Sequence, residues 1–415
     1  MAIFNALFNI VDQIFMTRKI LFFFSAVFGF INFANGQLPV LDDLNYLSSR
    51  DGLENAFQVF KGQKSATVAF LGGSITYAPG WRDSVSVSLQ RRFPNTSFHF
   101  ITAGIPSLGS LPHAFRLKQD VLDSGKVDLL FLEAAVNDEV NGTDSLVQLR
   151  ALEGIIRNAR LHQPKIDIVL MSFADPDKTK AYNEGKTPVS VANHELLAAY
   201  YGLPSINLAK AVRDRMQNKE FSWEEDFKDL HPSPFGQGIY AQAIRKLLSL
   251  NFDPQKTTTP LANSHRKLPL PMNKGSFEKG HYVELTDATS SEAWILHKNW
   301  LPEDRLNTRK GFVNIPMLTA QKPGATLSLN FKGNAVGMAI VSGADAGKVI
   351  YTIDNGPERE LDLYTKWSKS LHLPWYVLFD SNLKNGNHTL RLRISKNKNE
   401  KSTGNACRIA HFLVN

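Results

Sequence analysis

What most constrains this chain is a rhythm in its first two thirds. Five short apolar runs recur at residues 67–71, 98–102, 127–132, 166–171 and 205–208, each closed by polar, Gly or Pro residues. Between them lie stretches with apolar residues at helical spacing, at 82–92, 146–160 and 189–201, and another follows at 236–248. Continuous apolar runs suit strands buried on both faces, and strands that alternate with helices pair in parallel. The pattern predicts an α/β domain over residues 65–250, a parallel sheet with helices on both faces. Its ligands should gather beyond the carboxyl ends of the strands.

The remainder obeys a different period. A polar segment bounded by Pro254 and Pro260 marks a linker over 251–275. Beyond it, alternating runs at 325–331, 335–341, 349–353, 388–394 and 408–414 are separated by turns such as Asp354-Asn355-Gly356 and Lys384-Asn385-Gly386. These predict an antiparallel β-sandwich domain over 276–415.

At the amino end, Arg18 and Lys19 precede an apolar stretch over 20–33 that closes on Ala34-Asn35-Gly36. The layout is that of a secretory signal peptide over residues 1–36, with Met16 as an alternative first residue and 37–64 as a lead-in. The apolar stretch is shorter than the ~20 residues needed to cross a bilayer. The expectation is export to a secreted or periplasmic location without stable membrane insertion. Cys407 is the only cysteine, which excludes an intrachain disulfide and a cysteine-built metal centre. The charge of +8, from 47 basic and 39 acidic residues, is spread too thinly to call for nucleic acid. The histidines lack ligand spacing, so neither metal nor other cofactor is expected.

Four loops carry candidate chemistry. The turn Gly72-Gly73-Ser74-Ile75-Thr76 presents a hydroxyl directly after a buried strand, and it lacks the Gly-Lys-Ser/Thr ending of a phosphate loop. Ala103-Gly104-Ile105-Pro106 and Ala135-Val136-Asn137-Asp138 follow the second and third runs. The loop from Lys228 to Gly236 carries His231 just before the last helix. All four fall at one edge of the expected sheet.

Ser74, Gly104, Asn137 and His231, in this order, resemble the four blocks of the SGNH (GDSL-type) hydrolases over roughly residues 65–250. Two blocks depart from the usual pattern, with Gly73 in place of aspartate and Ala135 in place of glycine. The resemblance implies a three-layer, flavodoxin-like hydrolase domain. It also implies a Ser74 nucleophile, a His231 base, and an oxyanion hole built from the Ser74 and Gly104 N–H groups and the Asn137 amide. The family's aspartate usually stands three residues before the histidine, where this chain has Lys228. Asp229 is the first choice for the third member, with Asp226 or a backbone carbonyl as alternatives.

Other residues carry structural readings beside functional ones. Asp138 reads as a support of its loop, and Glu133 as a buried paired acid or a substrate contact. His113, Arg116 and Tyr77 flank the serine and glycine blocks and read chiefly as packing or surface. Glu224-Glu225 reads as a solvated face, and Cys407 as a small buried hydrophobe. Trp367, Trp375 and Tyr376 could stack on sugar rings or fill the sandwich core and its interface. The functional expectation is an exported serine esterase whose substrate is an acylated small molecule or a polysaccharide, with removal of O-acetyl groups from carbohydrate in first place. The alternatives are a lipase or arylesterase of the same chemistry, or a carbohydrate-binding or surface-assembly protein with lost activity. An anion-binding protein that uses the basic excess is a further reading.

Overall fold

The computed structural model describes residues 43–252, 265–304 and 306–415. The expected signal peptide and part of the expected linker therefore lie outside the described residues. Five parallel strands form the centre of the first domain: β2 (Ser65–Gly72), β3 (Ser97–Gly104), β4 (Leu129–Glu133), β5 (Asp167–Ser172) and β6 (Ser205–Asn207). A short strand, β1 (Leu47–Ser48), adds to β6 antiparallel, giving the order β1-β6-β5-β4-β2-β3. Without β1 this is the flavodoxin-like order, with its switch point at β2, where the chain passes to β3 on one side and β4 on the other. In doubly wound sheets such a switch point, at the carboxyl ends of the strands, is where ligands bind.

Alternation along the strands decides what covers each face. Val68 and Phe70 of β2, with Leu129 and Phe131 of β4, pack on one side. That side is covered by α1 (Glu54–Gly62), α3 (Trp81–Arg92), α9 (Leu208–Gln217) and α10 (Pro234–Asn251), while α2 (Ser74–Tyr77) is a single turn after β2. Ala69, Leu71, Leu130 and Leu132 face the other way, onto α4 (Ser110–Asp120), α6 (Ser145–His162) and α8 (Val189–Tyr201). Two shorter helices, α5 (Ala135–Val140) and α7 (Pro176–Asn183), follow β4 and β5. Helix α4 was not foreseen in the sequence. Its Pro112 lies in the first turn, where the missing N–H would have no intrahelical partner, so the helix tolerates it.

The second domain consists of two antiparallel sheets. One has the order β15-β12-β17-β10-β9, with β7 also paired to β17; the other runs β14-β13-β16-β11-β8. Their ranges are β7 (His281–Val283), β8 (Ala288–Ser290), β9 (Ile295–His297), β10 (Met317–Ala320), β11 (Thr326–Gly333), β12 (Val336–Ser342), β13 (Lys348–Ile353), β14 (Arg359–Asp362), β15 (Leu373–Asp380), β16 (Gly386–Ile394) and β17 (Cys407–Val414). Strand β15 carries Trp375 and Tyr376 of the three aromatic candidates. Its Pro374 is tolerated because β15 is an edge strand.

Strand β12 is buried along its whole length. Val336, Met338 and Ile340 point into the sandwich core, whereas Ala339 and Val341 join the core of the first domain. Trp300, Phe312, Met317, Tyr376, Ala410 and Leu413 do the same, packing in one cluster with Phe115, Leu152 and Ile155. The two domains therefore share a hydrophobic core. Polar ties follow the same seam: Glu153 accepts from the N–H groups of Met272 (2.5 Å) and Asn273 (2.9 Å), Arg160 donates to the Lys267 carbonyl (2.8 Å), and Arg157 pairs with Glu278. The described part of the expected linker, 265–275, thus lies across α6.

Candidate active site

Strand β2 ends at Gly72, and the chain turns at Gly73 into the helical turn α2, of which Ser74 is the first residue. The turn is closed by bonds from Tyr77 N to Gly73 O and from Ala78 N to Ser74 O, both 2.9 Å. Position 73 has no room for a side chain. A Cβ there would lie 2.0 Å from Asn137 Nδ2, so glycine is what allows that amide to stand against the serine turn. At Gly104, the end of β3, a Cβ would come within 2.4 Å of Tyr77 N. The glycine block is pressed onto the serine block by backbone contact.

Asn137 sits on α5, 7% exposed. Several hydrogen bonds hold that helix. Glu133 accepts from Val136 N (3.0 Å), Asn141 Nδ2 donates to Ser107 O (3.0 Å), and Asp138 Oδ1 accepts from Ser110 N (2.8 Å) and Ser110 Oγ (2.9 Å). Asp138 thereby fastens the asparagine helix to the start of α4. Burial pushes the Asp138 and Glu133 carboxyls up to about 7, against the pull of these hydrogen bonds and of the nearby Lys178 ammonium. Lys178 itself is buried in an ion pair with Asp175. The Asn137 amide and the Gly104 backbone thus both stand against the turn that carries Ser74, and an oxyanion formed there would need donors of this kind. Removing such a donor costs about 10²–10³ in kcat. Asn137→Ala is expected to lose that factor with KM nearly unchanged, as read from steady-state kinetics on a short-chain p-nitrophenyl ester.

His231 arrives from the far end of the domain. Its loop hangs between a π turn, Trp223–Phe227, and α10. Ser233 accepts from Phe235 N (3.2 Å) and Gly236 N (3.4 Å) as the cap of α10, and its hydroxyl donates to Asp226 O (2.5 Å). The Phe227 ring, stacked on Phe221 and Trp223, anchors the loop in the core. The result places His231 Nε2 2.9 Å from Ser74 Oγ, across 157 positions of sequence. Ser74 is half-buried and His231 exposed, so the pair opens to solvent.

The carboxylate question resolves less simply. Asp226 Oδ2 accepts from Ser222 N (2.7 Å) and Ser222 Oγ (3.3 Å). Lys228, at the family's aspartate position, has φ +78 and is exposed. Asp229 Oδ1 lies 3.6 Å from His231 Nδ1, and the same oxygen accepts the backbone N–H of His231. Among the described residues Asp229 is the acid nearest that ring, beyond ordinary hydrogen-bond reach and exposed.

Of the flanking residues, Tyr77 is 39% exposed beneath the Lys310 ammonium of the second domain, whereas His113 and Arg116 are buried. In the second domain Tyr376 is buried with its hydroxyl on that of Tyr282, Trp375 is half-buried against the sandwich core, and Trp367 is 40% exposed. Among the described residues no cluster of His, Cys, Asp or Glu could hold a metal ion, and no helix is long and apolar enough to cross a membrane.

Residues 70–239 match the family model described as GDSL-like Lipase/Acylhydrolase family. The first domain is therefore a GDSL-type domain of a carboxylic ester hydrolase. A search of curated proteins finds no match. Among solved structures, a two-domain esterase active on acetylated mannans, co-crystallised with mannopentaose, aligns with a TM-score of 0.70 at 19% identity, covering 91% of this chain and 98% of that one. A second structure of a two-domain esterase active on acetylated mannans aligns with a TM-score of 0.71 at 19% identity, over 90% and 98%. The likeness extends through both domains of the fold.

Proposed function

We propose that this chain is an exported serine esterase that removes O-acetyl groups from a polysaccharide through an acyl-enzyme, without a cofactor. The observation that carries the reading is the 2.9 Å approach of Ser74 Oγ to His231 Nε2 beside Gly104 and Asn137. His231 takes the serine proton as Oγ attacks the ester carbonyl, and returns it to the leaving sugar hydroxyl. A water then follows the same route to release acetate. The oxyanion of each tetrahedral intermediate is held by Ser74 N, Gly104 N and Asn137 Nδ2.

The substrate class rests on three supports: the signal-peptide layout of residues 1–36, the attached β-sandwich, and the acetylated-mannan activity of the two-domain esterases that share this fold. An exposed histidine beside a half-buried serine suits an acetyl group carried on a bulky polymer. The test is acetate release from a panel of acetylated mannan, xylan and free sugar acetates. Release should stop when a serine-directed fluorophosphonate adds its mass to the peptide holding Ser74. Binding to the glycans without acetate release would refute the reading.

Within it, Asp229 orients His231 as an exposed counter-charge. A buried, hydrogen-bonded triad aspartate is worth about 10⁴ in kcat. Asp229, at 3.6 Å and solvated, should be worth far less. Asp229→Asn is expected to lower kcat by no more than about 10-fold on the scale of that reference. A loss of three orders of magnitude would show that the carboxylate closes onto Nδ1 during turnover.

A further inference from the structure

The guanidinium of Arg116 has no part in the four blocks, yet it lies directly behind them. Arg116 is 1% exposed, on α4, with each polar arm engaged. Its Nε donates to His113 Nδ1 (3.1 Å) and its Nη1 to Asp120 Oδ2 (2.5 Å), while Nη2 donates to Ala103 O (2.5 Å) with a longer contact to Gly72 O (3.4 Å). Both carbonyls stand at the carboxyl ends of adjacent strands, Gly72 on β2 and Ala103 on the edge strand β3. Burying a cation is costly unless it is paired and hydrogen-bonded, and an aliphatic residue would fill the space at lower cost.

The choice of carbonyl matters. Ala103 C=O and Gly104 N–H are the two ends of one peptide unit. A charged donor on the oxygen draws electron density through the amide and makes the N–H at the other end a stronger donor, and hydrogen bonds in series polarise one another in this way. The same bond fixes the plane of that peptide and hence the direction of the N–H. Asp138 acts on the same helix from its other end, through Ser110.

We infer that Arg116 is a positioning residue for ester hydrolysis, aligning and polarising the Ala103–Gly104 peptide so that its N–H meets the developing oxyanion. This rests on the esterase reading and goes beyond it, since the serine and histidine would meet without Arg116. The effect belongs to the transition state, because the ground-state carbonyl oxygen carries little of the charge that the N–H must meet.

The test uses the full chain with Arg116→Gln and Arg116→Lys. Three quantities are measured: kcat and KM on a short-chain p-nitrophenyl ester, the inhibition constant of an alkyl boronic acid that forms a tetrahedral adduct on serine, and the melting temperature. Arg116→Gln is expected to lower kcat about 10- to 50-fold, a fraction of a lost oxyanion donor, with KM within twofold. Boronate affinity should fall by the same factor. Arg116→Lys should recover part of the loss by keeping one charged donor on Ala103 O. A folded Arg116→Gln enzyme with kcat within twofold of the parent overturns the inference, as does a loss carried by KM. If Arg116→Gln does not fold, Arg116→Lys decides: wild-type kcat and boronate affinity overturn the inference, and reduced kcat at unchanged KM supports it. A parent protein that neither hydrolyses esters nor binds the boronate defeats the esterase reading itself, and this inference falls with it.

Discussion

Alanine at position 74 should lower kcat by about four to six orders of magnitude, because the nucleophile and its base act as a unit whose loss is nearly total when either is removed. KM should change little, since the Ser74 hydroxyl is one small group in a site open to solvent. The fold should be intact. Ser74 Oγ is joined to His231 and supports nothing in the core, so the melting temperature is expected within a few degrees of the parent. Acetate release from an acetylated glycan, measured with thermal unfolding on the same sample, checks both halves. Residual activity above one per cent would mean that Ser74 is not the attacking group.

Truncation after residue 252 is expected to be as damaging, by a different route. Trp300, Phe312, Met317, Tyr376 and Leu413 are buried against the helices of the first domain. Large apolar side chains contribute about 1.5–3 kcal/mol each on burial. Losing five such contacts is comparable with the whole stability of an ordinary domain, about 5–15 kcal/mol. The cut would also take from Glu153 and Arg157 their partners at 269–278 and leave each with Tyr201 alone. The shortened protein should be insoluble, or soluble without a cooperative melt by near-ultraviolet dichroism. A soluble fragment that melts cooperatively near the parent temperature would show that the shared core is dispensable.

The parts of the molecule that were legible in the sequence are those governed by local pattern. All five apolar runs of the first domain emerge as parallel strands within a few residues of their expected limits, with β4 and β5 buried throughout and β3, at the sheet edge, only partly buried. The loops bearing Ser74, Gly104 and Asn137 were readable because each directly follows such a run. Helix α4 escaped notice because Pro112 reads as a breaker, although the first turn has no need of its N–H. Arg116 was read as surface or packing, since nothing in its neighbours reveals that the carbonyls of Gly72 and Ala103 converge on it.

The order of the four blocks, the buried strands and the change of period near residue 250 were determined by the sequence alone, because apolar spacing dictates which side of each element leaves water. Only the tertiary structure decided how the domains meet. Strand β12 is apolar on both faces, and such a strand looks the same whether helices, a sheet or another domain covers it. The third acid was likewise a matter of folding. Asp226 accepts the Ser222 N–H and Asp229 that of His231, and no spacing along the chain announces which donor a carboxylate will find first.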